Sequence, residues 1–152
     1  MTSSLIPTSI PPGPLFSIIN RARVIFLNER LKPYALSAGQ YPVFMCLLHH
    51  PNIIQESMAR YFHLDKGTIA RTVKKMEDAG YVSKNVDPDN RRAFRLFLTE
   101  KGYQVAPEII AIDREWEKLV TNSISDKEQQ DMLFLLRKVA ESSILAIKDV
   151  EG

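Results

Sequence analysis

Residues 65–99 read DKGTIARTVKKMEDAGYVSKNVDPDNRRAFRLFLT, and the hydrophobic period changes once within them. In the first part Ile69, Val73 and Met76 recur at i, i+4 and i+7, the spacing of one helix face. Asp65 stands where an N-cap belongs and Gly80 where a left-handed C-cap belongs, so the spacing predicts a helix from about Lys66 to Ala79. Beyond Gly80 the helical period stops. Tyr81 to Asn85 reads as a strand, and Val86-Asp87-Pro88-Asp89-Asn90-Arg91-Arg92 gathers the Pro, Asp and Asn of a turn. From Ala93 to Leu98, Phe94, Leu96 and Leu98 alternate with Arg95 and Phe97, which is strand period. The segment predicts a helix followed by a β-hairpin with a basic tip.

The other face of that helix carries Thr68, Arg71, Thr72 and Lys75 at i, i+3, i+4 and i+7. Hydroxyls and cations on one face suit a DNA groove: arginine can bond guanine bidentately, and threonine can meet a base edge or a thymine methyl. Lys66 and Gly67 stand at the N-terminal end, which a helix-turn-helix aims into the major groove. Gly67 leaves room for a phosphate backbone to approach. A solvated amphipathic helix would show similar cations. The hairpin weighs against that blander reading, because Arg91 and Arg92 on a protruding wing suit the negative potential of a narrow minor groove. Upstream, Ile54, Met58 and Phe62 stripe a short helix over about Ile54–Phe62, and His63-Leu64-Asp65 is a tight turn.

Toward the N-terminus, Ile18, Ala22, Ile25 and Phe26 predict an amphipathic helix over Leu15–Leu31, ended by Lys32-Pro33. Ser37 and Gln40 spell a capping box for a helix from Ser37 to His49, with Tyr41, Phe44, Leu47 and Leu48 inward. After the hairpin Thr99 caps a helix whose first turn Gly102 weakens, and Ile109, Ile112, Trp116, Leu119 and Val120 form its stripe. Ser125 and Glu128 cap a last helix, whose apolar face includes Met132, Leu133, Leu136, Val139, Ala140 and Ile144. The expected fold is mainly α with a small β-hairpin wing: a winged helix-turn-helix flanked by N- and C-terminal helices.

The composition agrees with a globular chain: 152 residues, 45% hydrophobic and 25% charged. The net charge of +2 is unevenly spread. Residues 54–102 carry ten Lys/Arg against seven acids, whereas residues 103–152 carry six against ten. A basic centre is compatible with nucleic acid. No stretch approaches the roughly 20 apolar residues of a membrane span. Met1 to Pro14 holds Pro7, Pro11, Pro12 and Pro14 but no Lys or Arg, so it reads as an irregular arm and not as a secretory leader. A single cysteine, Cys46, forms no intrachain disulfide, which points to a reducing, cytoplasmic setting.

The order and spacing of several segments resemble the MarR family of transcriptional regulators, along almost all of the chain from Leu15 to about Ser143. The segments are Leu36-Ser37-Ala38-Gly39-Gln40-Tyr41, Met58-Ala59-Arg60, Leu64 to Arg71, Met76 to Val82, and Asp89-Asn90-Arg91-Arg92 leading to Leu98-Thr99-Glu100-Lys101-Gly102. The last is the most specific. The resemblance implies a homodimer binding double-stranded DNA at a pseudo-palindromic operator, a repressor released by a small ligand, an aromatic or phenolic effector, or by thiol oxidation. It also implies a division into 1–32 (arm and first dimerisation helix), 33–102 (DNA-binding domain) and 103–152 (C-terminal dimerisation helices). The family's wing carries an Asp two residues before its minor-groove Arg. Asn90 occupies that place here, Asp89 precedes it as a substitute brace, and the wing contact is assigned to the pair Arg91 and Arg92.

Phe16, Tyr34, Phe44, Met45 and Trp116 are candidates for an effector pocket, although aromatics at helical spacing serve a core equally well. Cys46, mid-helix between Met45 and Leu47, reads as a small hydrophobe and not as a redox sensor. His49 and His50 read as a helix end, and with His63 they supply no metal set, since residues 103–121 contain no His. No Gly-rich phosphate loop and no nucleophile motif occur, so neither a cofactor nor catalysis is expected. The rival in another class is a helical ligand-binding or interaction module that keeps the fold without specific DNA binding. The polar face Thr68-Arg71-Thr72-Lys75 argues against it.

Overall fold

Pro12 and Pro14 open the first helix earlier than Leu15, because a proline in the first turn has no N–H to leave unsatisfied. The computed structural model describes residues 5–151, so the first four residues of the expected arm, and Gly152, lie outside the described residues. Helix α1 spans Pro12–Leu31. Lys32–Tyr34 then tighten into a 3-10 turn, and Ala35, at φ 54°, reverses the chain.

Helix α2 (Tyr41–His49) starts later than Ser37. Half of the expected capping box does form, since Gln40 Oε1 accepts the Ser37 N–H at 2.9 Å. Ser37 O accepts the N–H groups of both Gln40 and Tyr41, which makes a turn. Pro42 has no N–H with which to extend that turn backward as helix.

Strand β1 (Ile53–Ile54) precedes α3 (Gln55–Tyr61) and α4 (Lys66–Asp78). The hairpin is β2 (Val82–Val86) and β3 (Phe94–Leu98), antiparallel with Val82 opposite Leu98 and Val86 opposite Phe94. β1 adds to the outer side of β3, with Ile53 opposite Leu96, giving the order β1-β3-β2. Helix α5 (Glu100–Thr121) and helix α6 (Asp126–Glu151) complete the chain.

Residues 1–113 and 114–152 form two units, with α5 running through the division. In the first unit Leu27, Leu31, Phe44, Leu47, Met58, Ile69, Met76, Leu96 and Ile109 are fully buried. Apolar burial of this kind contributes roughly 1.5–3 kcal/mol per large side chain. Ile18 and Ile25 are 45% and 56% exposed, while Leu27 and Leu31, one turn apart at the end of the helix, are buried. The stripe is apolar, but the chain's own core reaches only its C-terminal end. In the second unit no described residue is buried, and Phe134, Leu135 and Leu145 are each about 60% exposed.

The junction around α4 follows local rules. Asp65 caps α4, accepting the Thr68 N–H at 2.8 Å. Gly80, at φ 82°, closes it with the Tyr81 N–H returning to Met76 O. Thr99 Oγ1 accepts the Gly102 N–H and donates to Gly80 O at 2.6 Å. A Cβ on residue 102 would meet Tyr81 O at 2.9 Å, so glycine permits a close helix–strand approach there. No helix among the described residues is long and apolar enough to cross a membrane.

Candidate nucleic-acid interface

The two faces of α4 separate as its spacing predicts. Ile69, Val73 and Met76 are at most 1% exposed. Lys66, Gly67, Arg71 and Lys75 are exposed, and Thr68 and Thr72 are half-buried beside them. Thr72 Oγ1 donates to Thr68 O at 2.9 Å, so toward any further partner its hydroxyl acts as an acceptor. Thr68 Oγ1 bonds Asp65 Oδ2 and accepts from Arg71 Nη2 at 3.1 Å. These contacts, the Thr68 hydroxyl first, its N–H second and the Arg71 charge a smaller cause, hold the Asp65 carboxyl below the usual carboxylate range.

Lys66 is not an independent cation. Its Nζ lies 2.7 Å from Glu56 Oε1, and this partner keeps the Glu56 carboxyl below its ordinary range. A hollow beside this pair is lined by Gln55, Glu56, Lys66, Arg92, Ala93 and Phe94, so the start of α4 and the wing border one depression. Arg91 does not line it. Both wing arginines are exposed, and their guanidinium groups meet no partner among the described residues.

The residue that braces the wing is Asp87. Its side chain is only 3% exposed, Oδ1 accepts the Asp89 N–H at 2.8 Å, and Oδ2 lies 3.2 Å from Arg95 Nε. The Arg95 contact is an ion pair whose N–H direction does not complete a hydrogen bond. Asp89, expected as the substitute brace, is exposed and offers neither Arg91 nor Arg92 a carboxylate contact. Asn90 does support the turn, since its Oδ1 accepts the Arg92 N–H at 3.1 Å and its C=O accepts from Ala93. Asp87 was legible only in part. Asp before Pro and Asp is an Asx-turn signal, but the pairing with Arg95 depends on strand register. Gln55 and Glu56 were also missed, because nothing in their spacing announces the cation that packs beside them.

The candidate effector residues are dispersed in role. Phe44 is fully buried and meets the Tyr81 ring edge-on at 6.2 Å between centroids, as a core side chain. Tyr34 and Met45 are half-buried against the same core, and the Tyr34 C=O accepts from the Tyr81 hydroxyl at 2.6 Å. Phe16 is exposed on α1, and Trp116 belongs to the second unit.

A short helix, a left-handed turn, an outward polar helix and a two-arginine wing form one module over residues 53–98. The model of the MarR family matches residues 36–94, which contain most of it. The HTH-type transcriptional regulator YybA of Bacillus subtilis is 30% identical over 125 residues, 82% of this chain and 83% of that protein. The chain belongs to the MarR family. A crystal structure of a MarR protein superposes with a TM-score of 0.89 at 31% identity, covering 96% of this chain and 99% of the other. A MarR transcriptional regulator from Methanosarcina mazei Go1 gives 0.84 at 34%, over 87% and 95%. The relatives of this MarR-family protein are helix-turn-helix regulators of transcription and not enzymes, and the chain is a transcriptional regulator on the winged-helix fold. In its terms α3 and α4 are the helix-turn-helix and the β2–β3 hairpin is the wing.

Proposed function

We propose that this protein is a cytoplasmic repressor that binds a pseudo-palindromic operator in double-stranded DNA as a homodimer. The observation that carries the reading is the polar face of α4: Thr68, Arg71, Thr72 and Lys75 turned outward over a fully buried Ile69, Val73 and Met76. Lys66, Gly67 and that face enter the major groove, and Arg91 and Arg92 reach the adjacent minor groove. The uncovered apolar faces of α1 and α6 support the homodimer, since exposed stripes of this length mark association surfaces. On this reading residues 1–32 and 103–152 supply dimerisation and 33–102 the DNA-binding domain. A small aromatic or phenolic effector that releases DNA extends the reading on the strength of the family. Operator release across a panel of aromatic acids and phenols checks it.

The test is binding to the protein's own upstream region against random duplex across a salt series. A sequence-reading regulator prefers its operator by about a thousandfold or more. Arg71→Ala lowers operator affinity and relaxes base preference, and equal loss on operator and random DNA rules out base reading by Arg71. Arg91→Ala with Arg92→Ala makes the salt slope shallower by up to about 2, and an unchanged slope excludes the wing contact. Absence of binding even at low salt transfers the protein to the ligand-binding or interaction class.

A further inference from the structure

The two threonines of the α4 face differ in what their hydroxyls are bonded to. Thr72 is bonded only to its own helix, at Thr68 O. Thr68 joins two charged side chains: Oγ1 donates its single proton to Asp65 Oδ2 and accepts an N–H from Arg71 Nη2 at 3.1 Å. The other Asp65 oxygen, Oδ1, takes the Thr68 N–H at 2.8 Å, so the carboxylate is fixed by the cap. A hydroxyl whose proton is committed to a fixed carboxylate meets other neighbours only through its lone pairs. Thr68 Oγ1 is therefore an oriented acceptor, aimed at the guanidinium. Gly67 supplies the space this needs. A Cβ on residue 67 would stand 3.1 Å from Arg71 Nη1 and 3.1 Å from Asp65 Oδ1.

Arginine has high rotamer entropy, and a guanidinium oriented before contact loses less of it on binding. Only one of its five N–H donors is engaged by Thr68, which leaves enough for a bidentate base contact. We infer that Thr68 is a positioning residue: the Asp65–Thr68–Arg71 chain holds the guanidinium over the first turn of α4, and base discrimination by Arg71 depends on it. This rests on the DNA-reading role proposed above. Thr68 then acts on specificity through Arg71 and not through its own bond to a base.

Wild type, Thr68→Val, Thr68→Ser, Arg71→Ala and the Thr68→Val/Arg71→Ala double variant are compared. The probes are the duplex that the wild type selects from a random library and its single-base-pair variants. Valine matches threonine in shape and keeps the N–H cap on Asp65, so the oxygen linking Asp65 to Arg71 is what is removed. One arginine–guanine contact supplies about 5- to 150-fold discrimination. Thr68→Val loses roughly fivefold or more of it, at the base pair where Arg71→Ala loses it. Thr68→Ser retains it, and Thr68→Val has no further effect once Arg71 is alanine. Unchanged discrimination in Thr68→Val, loss at a different base pair, or additive losses in the double variant overturn the inference while leaving DNA reading in place. A wild-type protein that selects no sequence overturns both.

Discussion

Replacing Asp87 by alanine tests whether the wing is an ordered platform. The side chain, 3% exposed, accepts the Asp89 N–H at 2.8 Å and lies 3.2 Å from Arg95 Nε. A hydrogen bond to a charged acceptor contributes about 1.5–3 kcal/mol. Arg95 retains 27% of its side-chain exposure, so its guanidinium turns to water when unpaired, and the ion pair adds no more than about 1 kcal/mol. The sum is about 1.5–4 kcal/mol, and at about 2–4 °C per kcal/mol for a chain of this size Asp87→Ala melts roughly 3–16 °C lower. Asp87→Asn keeps an acceptor for the Asp89 N–H and loses the charge, so it melts between the two. Thermal unfolding followed by circular dichroism reads both. An Asp87→Ala protein that melts within about 2 °C of wild type refutes the brace.

Glu56→Gln removes the carboxylate that competes with DNA phosphates for Lys66. Affinity for random duplex at low salt rises several-fold and the salt slope steepens by about 1; a salt series in which the variant overlays wild type contradicts this. The Asp65 carboxyl titrates below its unfolded value, so the stability it contributes is fully present above the unfolded pKa, near 3.9, and is lost as pH falls through the lower folded value. The melting difference between wild type and Asp65→Ala is therefore constant from about pH 6 to 8 and shrinks toward pH 3, and a difference that grows on acidification has the wrong sign. Gly102→Ala places a Cβ 2.9 Å from Tyr81 O, a backbone atom held by the Thr99 N–H, and destabilises by about 1–3 kcal/mol in denaturant unfolding. Gly39→Ala, whose nearest non-neighbouring atom is 3.9 Å away, is the control without that clash.

The features determined by the sequence alone are those whose partners lie three or four residues apart. Asp65 with Thr68, Gly80 closing α4, Thr99 with Gly102, and Ser125 with Glu128 are bonds within one helical turn, and each forms where its spacing implies. The two faces of α4 and the strand alternation of β3 are likewise periodic properties of a short segment. Tertiary structure decided the rest, because the partners are far apart along the chain. β1 is two residues long and exists only because Ile53 falls opposite Leu96. Asp87 was visible as a turn residue, but its role as brace required the register that sets Asn85 opposite Arg95. Glu56 became Lys66's partner through the turn that folds α3 against α4. Periodicity also marked α1 and α6 as amphipathic, yet it measures only that a stripe is apolar. Whether a stripe meets a core is set by packing: in the first unit the core covers Leu27 and Leu31 and leaves Ile18 and Ile25 at the surface, and within the second unit Leu133, Phe134, Leu135 and Leu136 of α6 are exposed.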